Sequence, residues 1–139
     1  MYLKKLLPVV FTFISLAAVS QSIQQEINDQ VWKPFTKAIV SQDVEEFIRL
    51  HSNDVMRVER NSGHIMNYGQ YKNDLEKSWP AWKQSMQVEK NKYIFELRFL
   101  ERLAKDNQAY EVGYFKNEII HASGEKRIRY GQFHVALRK

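Results

Sequence analysis

The chain contains no cysteine, so disulfides, thiolate nucleophiles and zinc-thiolate centres are excluded together, each of them needing sulfur. Only five glycines are present, and neither a glycine-rich phosphate loop nor a serine nucleophile elbow can be found among them. The four histidines, His51, His64, His121 and His134, show no helical His pair and no repeated carboxylate spacing, so no metal site is expected. Equally missing is an apolar run of the roughly 20 residues that a bilayer span requires. No cofactor is implied by any of this.

What is there suits one globular domain. The 139 residues are 44% hydrophobic and 13% aromatic, enough apolar surface for a single core, while 27% are charged and mean hydropathy is −0.52. Residues 1–20 stand apart. Lys4 and Lys5 precede an apolar run from Leu6 to Ala18, and Ala18-Val19-Ser20 places small residues where a signal peptidase cuts. This predicts a signal peptide over 1–20, a mature domain over 21–139 located in a bacterial periplasm or secreted, and no stable membrane anchor after cleavage. Two of the +5 net charges lie in that leader, and the remaining basic residues alternate with acids, as in Glu96-Leu97-Arg98, so nucleic acid is not an expected partner.

Periodicity orders the mature chain as helices followed by strands. Ile27, Val31, Phe35, Ala38 and Ile39 recur at helical spacing, with Ser22 and Gln25 as a capping box and Pro34 expected to kink the helix or mark its start. Ser41-Gln42-Asp43 ends it, and Asp43 with Glu46 caps a second, short helix. Val55 to Tyr68 reads as a hairpin turning at Asn61-Ser62-Gly63 and closed by Gly69. Tyr71, Leu75, Trp79 and Trp82 share one face of a third helix that Pro80 kinks or ends. Strands follow over Tyr93–Leu103, Gln108–Lys116 and Arg127–Arg138. Alternation puts Tyr93, Phe95, Leu97, Phe99 and Leu103 on one side of the first, and Ile94, Glu96, Arg98, Leu100 and Arg102 on the other. In the last strand Phe133, Val135 and Leu137 oppose Tyr130, Gln132 and His134. Segregated helices and strands indicate an α+β fold rather than a doubly wound sheet.

Val31-Trp32-Lys33-Pro34-Phe35, Asp43 opening a second helix, His51-Ser52-Asn53-Asp54-Val55 leading into a strand, and Tyr130-Gly131-Gln132-Phe133-His134-Val135 in the last strand together resemble the nuclear transport factor 2-like superfamily, in its SnoaL-like branch of exported bacterial proteins. The resemblance spans residues 23–139. It implies a cone-like roll of N-terminal helices on a curved antiparallel sheet, and a further strand beyond Lys139 whose lack would leave Phe133, Val135 and Leu137 at an exposed edge, favouring a homodimer. It also places Glu59 where ketosteroid isomerase relatives carry a general base. Phe35, however, stands where those enzymes carry the tyrosine that stabilises the enolate, and a phenyl ring donates no hydrogen bond.

Several further residues carry candidate chemistry. His51 with Asp54 could form a base and its orienter, although a last-turn histidine and an Asx turn explain the pair structurally. His134 could pair with Glu111 or Tyr130 in a pocket. Tyr71, Trp79, Trp82, Tyr110, Tyr114 and His134 are candidate walls of a site for a small apolar or weakly anionic molecule, with Arg57, Arg98 and Arg129 as candidate anion holders. Two function classes result. One is a binding or oligomerisation module without catalysis. The other is an acid–base enzyme (isomerase, dehydratase or hydrolase) using His134, Glu59 or His51. The first leads, because no two complementary groups show a catalytic spacing.

Overall fold

The computed structural model describes residues 23–139; the leader expected over 1–20 and the cap expected at Ser22 lie outside the described residues. The first helix, α1, runs over residues 23–41 without a break, and Pro34 neither starts nor ends it. Instead Asn28–Trp32 widen to a π turn in which the Lys33 N–H reaches back five residues to the Asn28 carbonyl. That widening accommodates a proline whose nitrogen has no hydrogen to donate. Gln42, left-handed at φ 49°, terminates the helix, and Asp43 N–H closes the end on the Ala38 carbonyl at 2.9 Å.

The short helix α2 spans Val44–Arg49. Half of its expected capping box is formed: the Asp43 carboxylate accepts from the Glu46 N–H at 3.1 Å, whereas the Glu46 carboxylate turns to Arg49 at 2.6 Å. Strands β1 (Met56–Glu59) and β2 (His64–Asn67) form the predicted hairpin, with Gly63 at φ 68° in its turn. Gly69 does not close it. Asn67 is already the N-cap of helix α3 (Tyr68–Val88), in a full capping box with Gln70, so Gly69 lies inside the first helical turn. Nor does Pro80 end α3, which continues to Val88.

Strands β3 (Lys92–Lys105), β4 (Gln108–Ile120) and β5 (Lys126–Arg138) make one antiparallel sheet with β4 in the centre. Ala38, Ile39, Phe47, Ile48, Tyr71 and Leu75 form the helical core, and Phe35, Tyr93 and Phe95 join it to the sheet. The molecule is therefore α+β, as its periodicity predicts, with the helices rolled onto a curved antiparallel sheet, as the resemblance implies.

One expectation fails at a single residue. Phe99 stands opposite Gly113, but the next pair is Glu101 opposite Val112, so Leu100 is an extra, bulged residue. A bulge exchanges the two faces for everything after it. Arg102 is thereby carried to the helix side and Leu103 to the outer side, where it is 56% exposed, the reverse of simple alternation.

Candidate functional site

Aromatic rings fill the space between the helices and the concave sheet. Trp32, 6% exposed, has its ring centroid 5.4 Å from Phe35, 5.2 Å from Phe99 and 5.4 Å from Phe133; Phe35 continues to Phe47 at 4.9 Å and to Phe95 at 6.1 Å. Two glycines let these rings lie against the backbone. Gly131 faces Phe115 across the β4–β5 pair, and Gly113 faces Phe133. A Cβ on Gly113 would stand 2.7 Å from the Phe133 ring, and one on Gly131 would overlap Phe115 outright. Two open surface hollows among the described residues lie elsewhere: about 340 Å³ beside Asp54, Met56, Ile65 and Gln70, and about 470 Å³ at the Lys105–Gln108 turn.

Within this aromatic interior sits one polar centre, which alternation alone does not show. Glu111 is fully buried, and its two oxygens accept separately from Trp32 Nε1 and from Arg102 Nε, the latter at 2.7 Å. The Leu100 bulge supplies Arg102, whose guanidinium carbon also lies 4.1 Å from the Phe99 ring centre. Such a carboxylate is tolerable only because both oxygens are satisfied and its charge is matched.

A second cluster surrounds the end of α2. His51 Nδ1 donates to the Phe47 carbonyl at 2.9 Å, a partner that only accepts, so the neutral ring keeps its lone pair on Nε2. Burial against Phe47 and Tyr71 holds the His51 pKa below its ordinary value, and the nearby Arg57 charge pushes the same way. Burial also raises the pKa of the Tyr71 phenol. Arg57 lies 5.5 Å over the Tyr71 ring and 3.3 Å from Glu59. Thus His51 and Tyr71 are in ring contact, and Glu59 is linked to them through Arg57. Asp54 is not part of the group: it pairs with Arg138 at 2.6 Å on the surface. Trp79 packs on Phe47 of α2 at 4.8 Å and Trp82 on Tyr93 of β3 at 4.9 Å, so the first belongs to the helix–helix packing and the second to the helix–sheet packing, and burial pushes the Tyr93 phenol up to about 12.

Tyr110, Tyr114 and His134 do not line the cone. Register places them on the outer face of the sheet, with Leu103, Arg98 and Tyr130, because residues paired across antiparallel strands share a face. Here His134 Nδ1 meets the Tyr110 hydroxyl at 2.9 Å; Glu111, its expected partner, projects from the opposite side. Around them Leu100, Leu103, Tyr110, Tyr114, Ile128 and Tyr130 are 42% to 73% exposed. At one end of this face the carboxylate of Glu118 is held below its usual pKa, chiefly by Lys116 and then by Lys126, at 2.6 and 3.2 Å. Phe133, Val135 and Leu137 are half-buried on the inner side of the sheet rather than exposed, which corrects that part of the expectation, while β5 is the terminal strand of the sheet among the described residues. Arg129 shares their side but is exposed. Among the described residues no group of His, Asp and Glu side chains is placed to hold a metal ion.

Helices on a curved three-stranded sheet with a preceding hairpin are an arrangement found in other solved structures. The fold is nuclear transport factor 2-like. A nuclear transport factor 2-like superfamily protein from Salmonella enterica superposes with a TM-score of 0.57 at 14% identity, over 86% of this chain and 82% of its own. A conserved protein from Planctomyces limnophilus gives 0.62 at 14%, over 85% of each chain. The association domain of C. elegans CaMKII gives 0.58 at 15%, over 86% of this chain and 88% of that one. No protein-family model and no curated protein matches the sequence. At these identities the likeness concerns the nuclear transport factor 2-like fold alone, a scaffold on which function depends on the local site.

Proposed function

We propose that this chain is an exported association module of the SnoaL-like branch, which joins a second copy of itself through the outer face of its sheet. One observation carries the reading. Six large apolar side chains, Leu100, Leu103, Tyr110, Tyr114, Ile128 and Tyr130, stand exposed on that one face, whereas the concave face is already covered by the helices and filled with rings. Exposed apolar patches of this extent mark interaction surfaces, and a self-complementary patch closes as a two-fold dimer. The C. elegans neighbour, itself an association domain, is in keeping with this use of the scaffold. A ligand or substrate within the cone has the packed aromatic interior against it.

Sedimentation velocity tests the dimer. The wild-type protein is expected to sediment as a concentration-dependent dimer, and Tyr114→Glu with Leu103→Glu as a monomer of unchanged far-UV circular dichroism. A wild type that remains monomeric at high concentration removes the reading. For export, intact mass of protein recovered from the native host decides: loss of residues 1–20 is expected, and a full-length soluble species overturns it.

A further inference from the structure

We infer that a second copy of this chain docks on the outer face with the two-fold axis along β4, so that Glu101 of each copy meets His134 of the other. The inference rests on the dimer proposed above and adds what selects the partner and fixes its orientation. Charge is divided unevenly on that face. Strand β3 turns Glu96 and Glu101 outward, whereas β5, from Lys126 to Arg138, has no acidic residue. Because the Leu100 bulge puts Glu101 opposite Val112, and Val112 stands opposite His134, these three share one row across the sheet. Both Glu101 and His134 are exposed. The Tyr110 hydroxyl lies 2.9 Å from Nδ1 of His134, and when it donates there Nε2 is left to carry the N–H that a carboxylate accepts.

Symmetry then decides the pairing. Sheets packed face to face keep their strands roughly aligned, within about 30° of one another. An axis along β4 lays β3 of one copy over β5 of the other, row upon row: Glu101 on His134, Glu96 on Tyr130, Arg98 on Gln132 and Leu103 on Ala136. Each of the two β3 acids thus meets a hydrogen-bond donor. On the axis itself Lys116 and Glu118 neutralise one another within each copy, at 2.6 Å.

An axis across the strands gives poorer partners. Through the Val112 row it sets Glu101 against Glu101, and through the Tyr114 row it sets Arg98 against Arg98 and Glu101 against Glu96. Midway between those rows it covers Glu96 with Leu103. Like charges juxtaposed in an interface, and a carboxylate desolvated by an apolar side chain, select against these arrangements.

Complementation between two variants tests the pairing. Glu101→Lys and His134→Glu, purified separately, are each expected to dimerise at least about tenfold more weakly than the wild type in sedimentation velocity, because one homodimer sets the introduced lysine against His134 and the other sets two carboxylates together. Mixed in equal amounts, with one of them isotopically labelled, they should form a heterodimer by native mass spectrometry at concentrations where the wild type is dimeric. In that heterodimer the introduced lysine meets the introduced glutamate, and the second pair stays native. Far-UV circular dichroism checks that both are folded; should either fold poorly, Glu101→Arg and His134→Asp repeat the test. A wild type that stays monomeric removes the dimer and this pairing together. A dimeric wild type whose single variants dimerise as tightly as it does, or whose mixed variants stay apart, overturns the pairing and leaves the dimer standing.

Discussion

Arg102 and Glu111 face one another across the β3–β4 pair, Nε to Oε1 at 2.7 Å, because the extra residue Leu100 turns Arg102 from the outer side of the sheet to the inner. Glu111 is wholly buried and Arg102 largely so, and Trp32 Nε1 completes the carboxylate's hydrogen bonding from α1. Helix and sheet are joined by a charged contact inside an aromatic interior.

Removing the cation should therefore cost far more than removing a surface charge. Arg102→Ala is expected to destabilise the fold by about 3 kcal/mol, since Glu111 would be left buried and unpaired. Replacing both residues by apolar side chains of similar size should recover part of that loss. Urea unfolding of Arg102→Ala and of the double variant, against the wild type, measures it.

At Gly131 the constraint is space. Alanine there would overlap the Phe115 ring, and a loss of about 1–3 kcal/mol is expected. Phe115→Leu in the same chain should return some of it by withdrawing the ring. Gly113→Ala should resist such rescue, because the Arg98 backbone carbonyl as well as the Phe133 ring occupies the Cβ position. Thermal unfolding of the two glycine variants, each alone and with Phe115→Leu or Phe133→Leu respectively, separates these outcomes.

Acid should weaken the fold through His51. Its folded pKa is lowered by burial, so between its unfolded value near 6.5 and the lower folded value the unfolded chain binds the proton more readily. The stabilising contribution is complete above the unfolded pKa and is lost as pH falls toward the folded one. His51→Gln should flatten the stability profile across that window, as read from urea midpoints at several pH values.

The start of α3 should depend on Asn67. Its side chain accepts from the Gln70 N–H, while the Gln70 side chain accepts from the Asn67 N–H, both at 3.0 Å. Asn67→Ala is expected to cost about 1 kcal/mol, and Asn67→Ser or Asn67→Asp clearly less. Denaturant midpoints at constant slope provide the check.

The element order was readable in the sequence because it depends on local periodicity. Tyr71, Leu75, Trp79 and Trp82 recur at helical spacing, Asn61-Ser62-Gly63 marks a turn, and Phe133, Val135 and Leu137 alternate as one strand face must. The capping signal at Asp43 is local for the same reason, whereas the cap at Asn67 is masked in the sequence, because Asn67 also continues the hairpin's strand pattern toward Gly69. Tertiary structure decided which face of each strand looks at the helices, since alternation divides residues into two sets without orienting either. That choice put His134, Tyr110 and Tyr114 outside and Glu111 inside. It also decided the register: nothing in Phe99-Leu100-Glu101 announces an extra residue, and the bulge is set by how β3 must bend across β4 while Trp32 and the phenylalanines pack against it. The polar centre of the molecule, Glu111 with Arg102 and Trp32, joins residues distant in sequence, and only packing brings them together.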